Sequence, residues 1–246
     1  MSMLNALILC EPPNDKKIVA DWTAKAGCTI AMKMLFTYMN VLEEALAYKH
    51  PRKWVHDFRQ DVYYDRYGRV TEEIMSSSDY IKLKFVRNPF NRAVSSFIHC
   101  CKHPFLLAEY ENSNPSFTDF LKLLHSKKLG INCGGGHYRV QNWDINRTYD
   151  EIIQIENLND HIDIINKKYN VNLQSGFSSG HHVKKKNYVK NFGNAKRNEV
   201  LNYFESNNQE SPTYDSYYSD ENFQMVSEKR LPTIHWESLS PFPRPY

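Results

Sequence analysis

Ile18-Val19-Ala20-Asp21-Trp22-Thr23-Ala24-Lys25-Ala26-Gly27-Cys28-Thr29 is the stretch on which the fold turns. Its first six residues form a short β-prone run, and Lys25-Ala26-Gly27 reads as a turn. A helical pattern opens at Thr29 and runs to about Tyr48, in which Ile30, Met34, Phe36, Met39, Leu42 and Leu46 can share one broad apolar face. Strand, glycine-containing turn and helix in that order open an α/β fold.

Working outward, Arg52–Tyr67 is polar and aromatic without a clean period. Tyr80–Val86 alternates apolar and polar residues as a strand does, and it stops at Asn88-Pro89. Proline suits a first helical turn, so a helix is predicted from about Phe90 to Cys101. Further helices are predicted over Phe117–Leu124 and Asp160–Tyr169, and a buried strand over Glu151–Ile155. Gly134-Gly135-Gly136 reads as a loop. From Ser175 onward the chain is rich in Ser, Asn and Lys, with one helical segment near Asn198–Phe204. The closing Pro241-Phe242-Pro243-Arg244-Pro245-Tyr246 excludes helix and central strand, and reads as a surface tail. No repeat and no linker divides the chain, which predicts a single domain with its core over about 18–225.

The 246 residues are 41% hydrophobic, enough to bury one sizeable core. A net charge of +3 permits an anionic ligand but is no signature of nucleic-acid wrapping. Cys10, Cys28, Cys100, Cys101 and Cys133 are odd in number and hold no C-x-x-C pair, so neither a disulfide framework nor a zinc site is expected, and a reducing compartment fits. The apolar run Leu4–Cys10 is too short to span a membrane and has no basic leader. The expectation is therefore a soluble, cytoplasmic protein without an anchor. Asn146-Arg147-Thr148 matches the glycosylation pattern, which has no meaning without secretion.

Two stretches carry chemistry. An anion-binding turn needs small residues that let backbone N–H groups converge, a helix N-terminus, and a cation that reaches back. Ala26, Gly27 and Cys28 meet the first need, with the amide of Ile30 behind them. Thr29 can cap the helix and offer its hydroxyl, and Lys25 is the cation. The Walker pattern G-x-x-x-x-G-K-[ST] is absent, since this lysine precedes the glycine. The second stretch is Val86-Arg87-Asn88-Pro89-Phe90-Asn91-Arg92-Ala93-Val94-Ser95. Arg87 closes a strand and Ser95 follows eight positions on, about two turns into the next helix. An arginine fork and a hydroxyl so placed suit a phosphate monoester.

Here the chain resembles the sulfotransferases that use 3′-phosphoadenosine 5′-phosphosulfate (PAPS), in the carbohydrate branch of the chondroitin and HNK-1 type. That family carries a K-x-G-x-[ST] loop for the 5′-phosphosulfate and a V-R-[DN]-P-[FY]-x-R-x-x-S element for the 3′-phosphate. His137-Tyr138-Arg139-Val140-Gln141 is similar to its H-[WY]-x-x-Q, and Glu156-Asn157-Leu158 to its E-N-L. Tyr218-Ser219-Asp220 with Phe223 is similar to its closing Y-x-x-D segment. The family's membrane anchor and paired cysteines have no counterpart here, which leaves open a catalytic domain excised from a Golgi-lumen protein.

The resemblance implies a three-layer P-loop-like fold, with a central parallel sheet flanked by helices. It also implies transfer of the sulfuryl group to a hydroxyl, most directly of a glycan or glycolipid, without a metal. Lys25, aided by the amides of Gly27, Cys28 and Thr29, would stabilise charge on the departing phosphate, with Ala26 and Ile30 also in the PAPS site, and Arg87 and Ser95 would grip the 3′-phosphate. A general base is required, with His56 and His137 as rivals and Asp57 and Glu156 behind them. Arg139 and Gln141 can meet the acceptor. Lys184 and Lys186, in the basic run His181-His182-Val183-Lys184-Lys185-Lys186, can close over PAPS. Two other readings stay open: a nucleotide-dependent kinase of related fold, which would need ATP and Mg²⁺, and a non-catalytic glycan-binding module. Nucleic-acid binding needs a longer basic stripe with interleaved aromatics. Oligomeric state is not legible.

Overall fold

The computed structural model describes residues 7–13, 15–48, 54–103, 113–126, 137, 147–177 and 188–228. Its elements in chain order begin with strand β1 (Leu7–Cys10), β2 (Lys17–Trp22), helix α1 (Cys28–Tyr38), α2 (Leu42–Ala47) and α3 (Trp54–Phe58). A π-helical turn over Arg59–Tyr63 leads into α4 (Tyr64–Tyr67), α5 (Glu72–Ser76), β3 (Tyr80–Val86), α6 (Pro89–Lys102) and α7 (Phe117–Ser126). Then come β4 (Glu151–Gln154), a 3₁₀ turn at Ile155–Asn157, α8 (Leu158–Tyr169), α9 (Arg197–Ser206) and α10 (Asp220–Glu228). They form two compact units, one of Met1–Arg87 with Asn146–Gly180 and one of Asn88–Ile145 with His181–Tyr246.

The first unit holds a four-stranded sheet in the order β1-β2-β3-β4. β2, β3 and β4 run parallel, with Trp22 opposite Phe85 and Val86 opposite Gln154. The expectation of a parallel sheet needs correction at one edge, where β1 lies antiparallel to β2 with Leu7 opposite Asp21. Residues 11–16 are too few for a crossover, which takes about a dozen residues or more, so the two strands can only join antiparallel. Leu7–Cys10, the described part of the apolar run Leu4–Cys10, is thus an edge strand.

Alternation along the strands sends side chains to two different layers. Ile8, Cys10, Ile18, Ala20, Trp22, Ile81, Leu83, Phe85 and Ile153 pack with Met34, Leu35 and Phe36 of α1, Phe58 of α3, and Ile162 and Ile165 of α8. Leu9 and Val19 face the other way, onto Val70 and Met75. That second face also buries Lys84 and Asp21, which pair with each other, and the Tyr149 hydroxyl donates to the same carboxylate. A buried charge must be matched in this way, since an unpaired one is costly in a low dielectric. Burial, then the Asp21 carboxylate, pushes the Tyr149 hydroxyl well above the usual phenol range, so it stays a donor. The polar positions of an alternating strand are here inside the protein.

The single helix expected from Thr29 to Tyr48 is broken. α1 ends at Tyr38, Asn40 takes a left-handed φ of 55°, and the Val41 amide bonds back to the Phe36 carbonyl at 2.8 Å before α2 begins. Asparagine tolerates that conformation better than most side chains. In consequence Ile30, Met34 and Phe36 are buried but Leu46 is 42% exposed. Arg52–Tyr67, which shows no period in sequence, contains two short helices joined by the π-helical turn, a register change that smears any 3.6-residue pattern.

The second unit packs α6, α7, α9 and α10 around Phe90, Phe97, Phe117, Phe120, Phe204 and Tyr217. Asn88 caps α6, its Oδ1 accepting from the amides of Phe90 and Asn91, with Pro89 as the first helical residue. Cys10, Cys28, Cys100 and Cys101 carry free thiols, and burial pushes Cys10 and Cys101 up to about 12. Among the described residues no helix is long and apolar enough to cross a membrane.

The break at Asn40 predicts unequal costs along the former apolar stripe. Phe36→Ala should lower the unfolding free energy by about 3–5 kcal/mol. Leu46→Ala should change it by no more than about 0.5 kcal/mol in urea unfolding. Equal losses would argue for one continuous buried helix face.

Candidate active site

The turn after β2 is tight and strained. The Ala26 amide donates to the Thr23 carbonyl at 3.1 Å, Lys25 adopts a positive φ of 68°, and Gly27 one of 82°. Gly27 stands at the N-cap of α1 without a side-chain cap, and no acidic residue lies in the first turn. The expectation that Thr29 caps this helix is corrected accordingly. The first amides of an α-helix have no intrahelical acceptor, so this end presents partial positive charge to the turn. A Cβ on Gly27 would come within 2.5 Å of Ile155 Cδ1 and force that side chain to shift, in addition to the strain of the positive φ. Thr23, at the start of the turn, is fully buried, and its Oγ1 makes no hydrogen bond.

Parallel pairing sets Arg87, the first residue after β3, beside this turn. Its Nη1 donates to the Lys25 carbonyl at 3.1 Å, and its Nε lies 3.9 Å from Glu156 Oε1. Glu156 belongs to the 3₁₀ turn after β4. Three adjacent strand ends therefore supply the Lys25 turn, Arg87, and Ile155 with Glu156. Open α/β sheets bind ligands at this carboxyl edge.

Thr29 spends its hydroxyl on His56. Nε2 of His56 lies 3.2 Å from Thr29 Oγ1 and 3.8 Å from Cys28 Sγ, and either imidazole tautomer satisfies the pair. The side chain of α3 thus reaches the N-terminal end of α1. Lys25, Ala26, Gly27, Cys28, Thr29, Ile30, His56, Arg87 and Glu156 all belong to the first unit.

His137 and Ser95 belong to the second unit. The His137 carbonyl accepts from Ser96 Oγ at 2.9 Å, and its ring stacks on His99 at 4.3 Å and 24°. His99 in turn lies 4.5 Å from His103, one helical turn on. Ser95 sits half-buried on α6. The closing segment seen in sequence also meets this helix, for Tyr218 donates to the Phe90 carbonyl at 2.8 Å and Phe223 stacks on Phe90 at 4.5 Å. Arg139, Gln141, Lys184 and Lys186 lie outside the described residues. Among the described residues no group of three or more His, Cys, Asp or Glu side chains is placed to hold a metal ion.

A family model described as the sulfotransferase family matches residues 13–224, most of the chain. The chain belongs to the sulfotransferase family. Comparison with curated proteins and with solved structures gives no match. As a sulfotransferase the chain is a transferase of the sulfuryl group, and the general reaction takes an acceptor that bears a hydroxyl. The matched span contains both motifs singled out in the sequence. Thr23 and Ile155 escaped sequence reasoning: one looks like an ordinary strand residue, and the other acts only by filling space against Gly27.

The Gly27 cradle has a separable test. Gly27→Ala should lose about 1–2 kcal/mol for the left-handed backbone, plus a steric share against Ile155. In the background of Ile155→Ala the same substitution should lose only the backbone share, as measured by urea unfolding of all three variants. A steric share that survives removal of Ile155 would refute the cradle.

Proposed function

We propose that this sulfotransferase moves the sulfuryl group of PAPS onto a hydroxyl of a carbohydrate acceptor, a glycan or glycolipid, on a P-loop-like fold of the chondroitin and HNK-1 branch. The Lys25 turn takes the 5′-phosphosulfate. The acceptor oxygen forms a bond to sulfur as the bond from sulfur to the phosphate oxygen breaks, and the products are the sulfate ester and 3′-phosphoadenosine 5′-phosphate (PAP). Charge grows on the departing phosphate oxygen, where Lys25 and the amides of Gly27, Cys28 and Thr29 stabilise it. Arg87 grips the 3′-phosphate; Ser95 is assigned to the same phosphate from its motif alone. Lys184 and Lys186 are assigned to PAPS, and Arg139 and Gln141 to the acceptor, on the resemblance.

His56 is the general base that takes the acceptor proton. The observation that carries this choice is its Nε2, 3.2 Å from Thr29 Oγ1 at the very helix end that the Lys25 turn feeds. A base must sit within hydrogen-bond reach of the reacting hydroxyl, and Thr29 fixes the ring at that end. The turn also fits an oxyanion on physical grounds. It has amides without helical acceptors, no carboxylate in the first turn, a glycine at φ 82° at the helix N-cap, and the buried, unpartnered Thr23 hydroxyl at its start.

Transfer of label from PAPS to a panel of saccharides tests the reading. Lys25→Ala should lower kcat by about 10²-fold or more. His56→Ala should lower it by about 10²–10⁴-fold, with a far smaller loss in His137→Ala. The reverse order for the two histidines would make His137 the base. PAP should raise the melting temperature and ATP with Mg²⁺ should not, because a ligand that binds the native state stabilises it. Stabilisation by ATP with Mg²⁺ alone would favour the kinase reading. Sulfuryl transfer undiminished in Lys25→Ala would remove the turn from the chemistry.

A further inference from the structure

Three residues beyond His56, on the π-helical turn that follows α3, Arg59 lies with its guanidinium over two aromatic rings. Its Cζ is 5.6 Å from the Trp22 ring centre and 5.7 Å from that of Tyr64. Arg69 reaches the same Tyr64 ring at 4.1 Å. Gly68, at φ 82° and ψ 177°, ends α4 and turns the chain so that Arg69 comes back over it. Two guanidinium groups thus share one tyrosine, in a segment that sequence periodicity left blank.

Among the described residues neither has an anionic partner. Among the described residues Arg59 and Arg69 make no ion pair and no hydrogen bond, and Arg59 Nε is sealed from solvent with nothing to donate to. Two carboxylates of the same unit are engaged elsewhere: Glu44 holds Arg66 at 2.6 Å, and Asp61 accepts from Tyr48 at 3.2 Å. Aromatic planes hold an arginine in place while leaving the edge of its fork open, and that edge matches a carboxylate or a sulfate. Two like charges beside one ring repel each other, a cost that a bound oxyanion removes. Elsewhere in the same unit a buried cation is matched in full, Lys84 by Asp21.

The position gives this pair its meaning. Trp22 is the residue directly before Thr23, where the oxyanion turn starts, and His56 reaches Thr29 at that turn's far end. Residues three apart on a helix are neighbours, with Cβ atoms about 5–6 Å apart, so Arg59 and His56 leave the chain next to one another. We propose that Arg59 and Arg69, set around Tyr64, recognise an anionic substituent of the acceptor, a carboxylate or a sulfate ester, close to the hydroxyl that His56 deprotonates. This rests on the sulfuryl-transfer reading and adds to it that the acceptor is anionic, with this pair setting the preference.

The test uses the full chain, Arg59→Gln, Arg69→Gln and the double variant. Three acceptors serve as probes: a chondroitin sulfate oligosaccharide, its desulfated form with carboxylates only, and the desulfated, carboxyl-reduced neutral form. Wild type should prefer at least one anionic form to the neutral one in kcat/KM. The double variant should reduce that preference about tenfold or more, with the single variants between. Whichever anionic form loses most identifies carboxylate or sulfate ester as the group recognised. If the arginines only clamp Tyr64, all three acceptors fall in parallel and the ratio holds, which overturns the proposal. PAP affinity, measured by calorimetry, should stay within about twofold, and a tenfold fall would move the pair to the donor and also overturn it. Direct titration of the three saccharides, without PAPS, gives the same comparison as affinities. A chain that transfers nothing and ignores PAP would therefore defeat the sulfuryl-transfer reading while the anion preference still stood or fell by itself.

Discussion

Parallel pairing of β2 with β3 is the constraint on which the rest of the first unit depends. Because Trp22 lies opposite Phe85, both strands end at one level, and the residues that follow them meet. Arg87 can then donate to the Lys25 carbonyl, tying the end of one strand to the turn after the other. β4 joins in the same sense and brings Ile155 against Gly27. Three strand ends, far apart in sequence, so become the walls of one turn. Helix α1 supplies its uncapped amides from a fourth direction, and α3 lays His56 across them. Main-chain hydrogen bonding fixes this geometry, so side chains there are free to be chosen for chemistry.

Buried and half-buried cations in this unit are treated in two ways. Lys84 points into the face of the sheet away from α1, where Asp21 and Tyr149 match it. That pair belongs to the architecture, since removing either member would strand the other in a low dielectric. Arg59 and Arg69 are held by aromatic rings and lack carboxylates among the described residues. Among the described residues Lys84 has its carboxylate, and Arg59 and Arg69, on the same framework, have none. The π-helical turn over Arg59–Tyr63 fits this view, because such turns give up regular hydrogen bonding to aim side chains.

Much of the framework was legible. The β-prone run before Lys25, the alternating run before Arg87, and the helices after Asn88 and near Asp160 are read correctly within a residue or two. Local rules decide each of these: strand alternation, proline at a first turn, and an asparagine cap. Legibility failed where the deciding partner is distant. Leu46 fits an apolar stripe, but Asn40 redirects the chain and leaves it exposed. Lys84 reads as the outward half of an alternating strand, yet it is buried because Asp21 and Tyr149 come to meet it.

The sequence by itself determined an α/β chain of the sulfotransferase family, since the spacing of Lys25, Gly27, Arg87 and Ser95 is written along the backbone and needs no coordinates. Only the tertiary structure decided that His56 meets Thr29, and that Arg59 and Arg69 gather on Tyr64. Motif order follows from local sequence, whereas these contacts follow from which elements pack together, and packing is settled by burial across the whole unit.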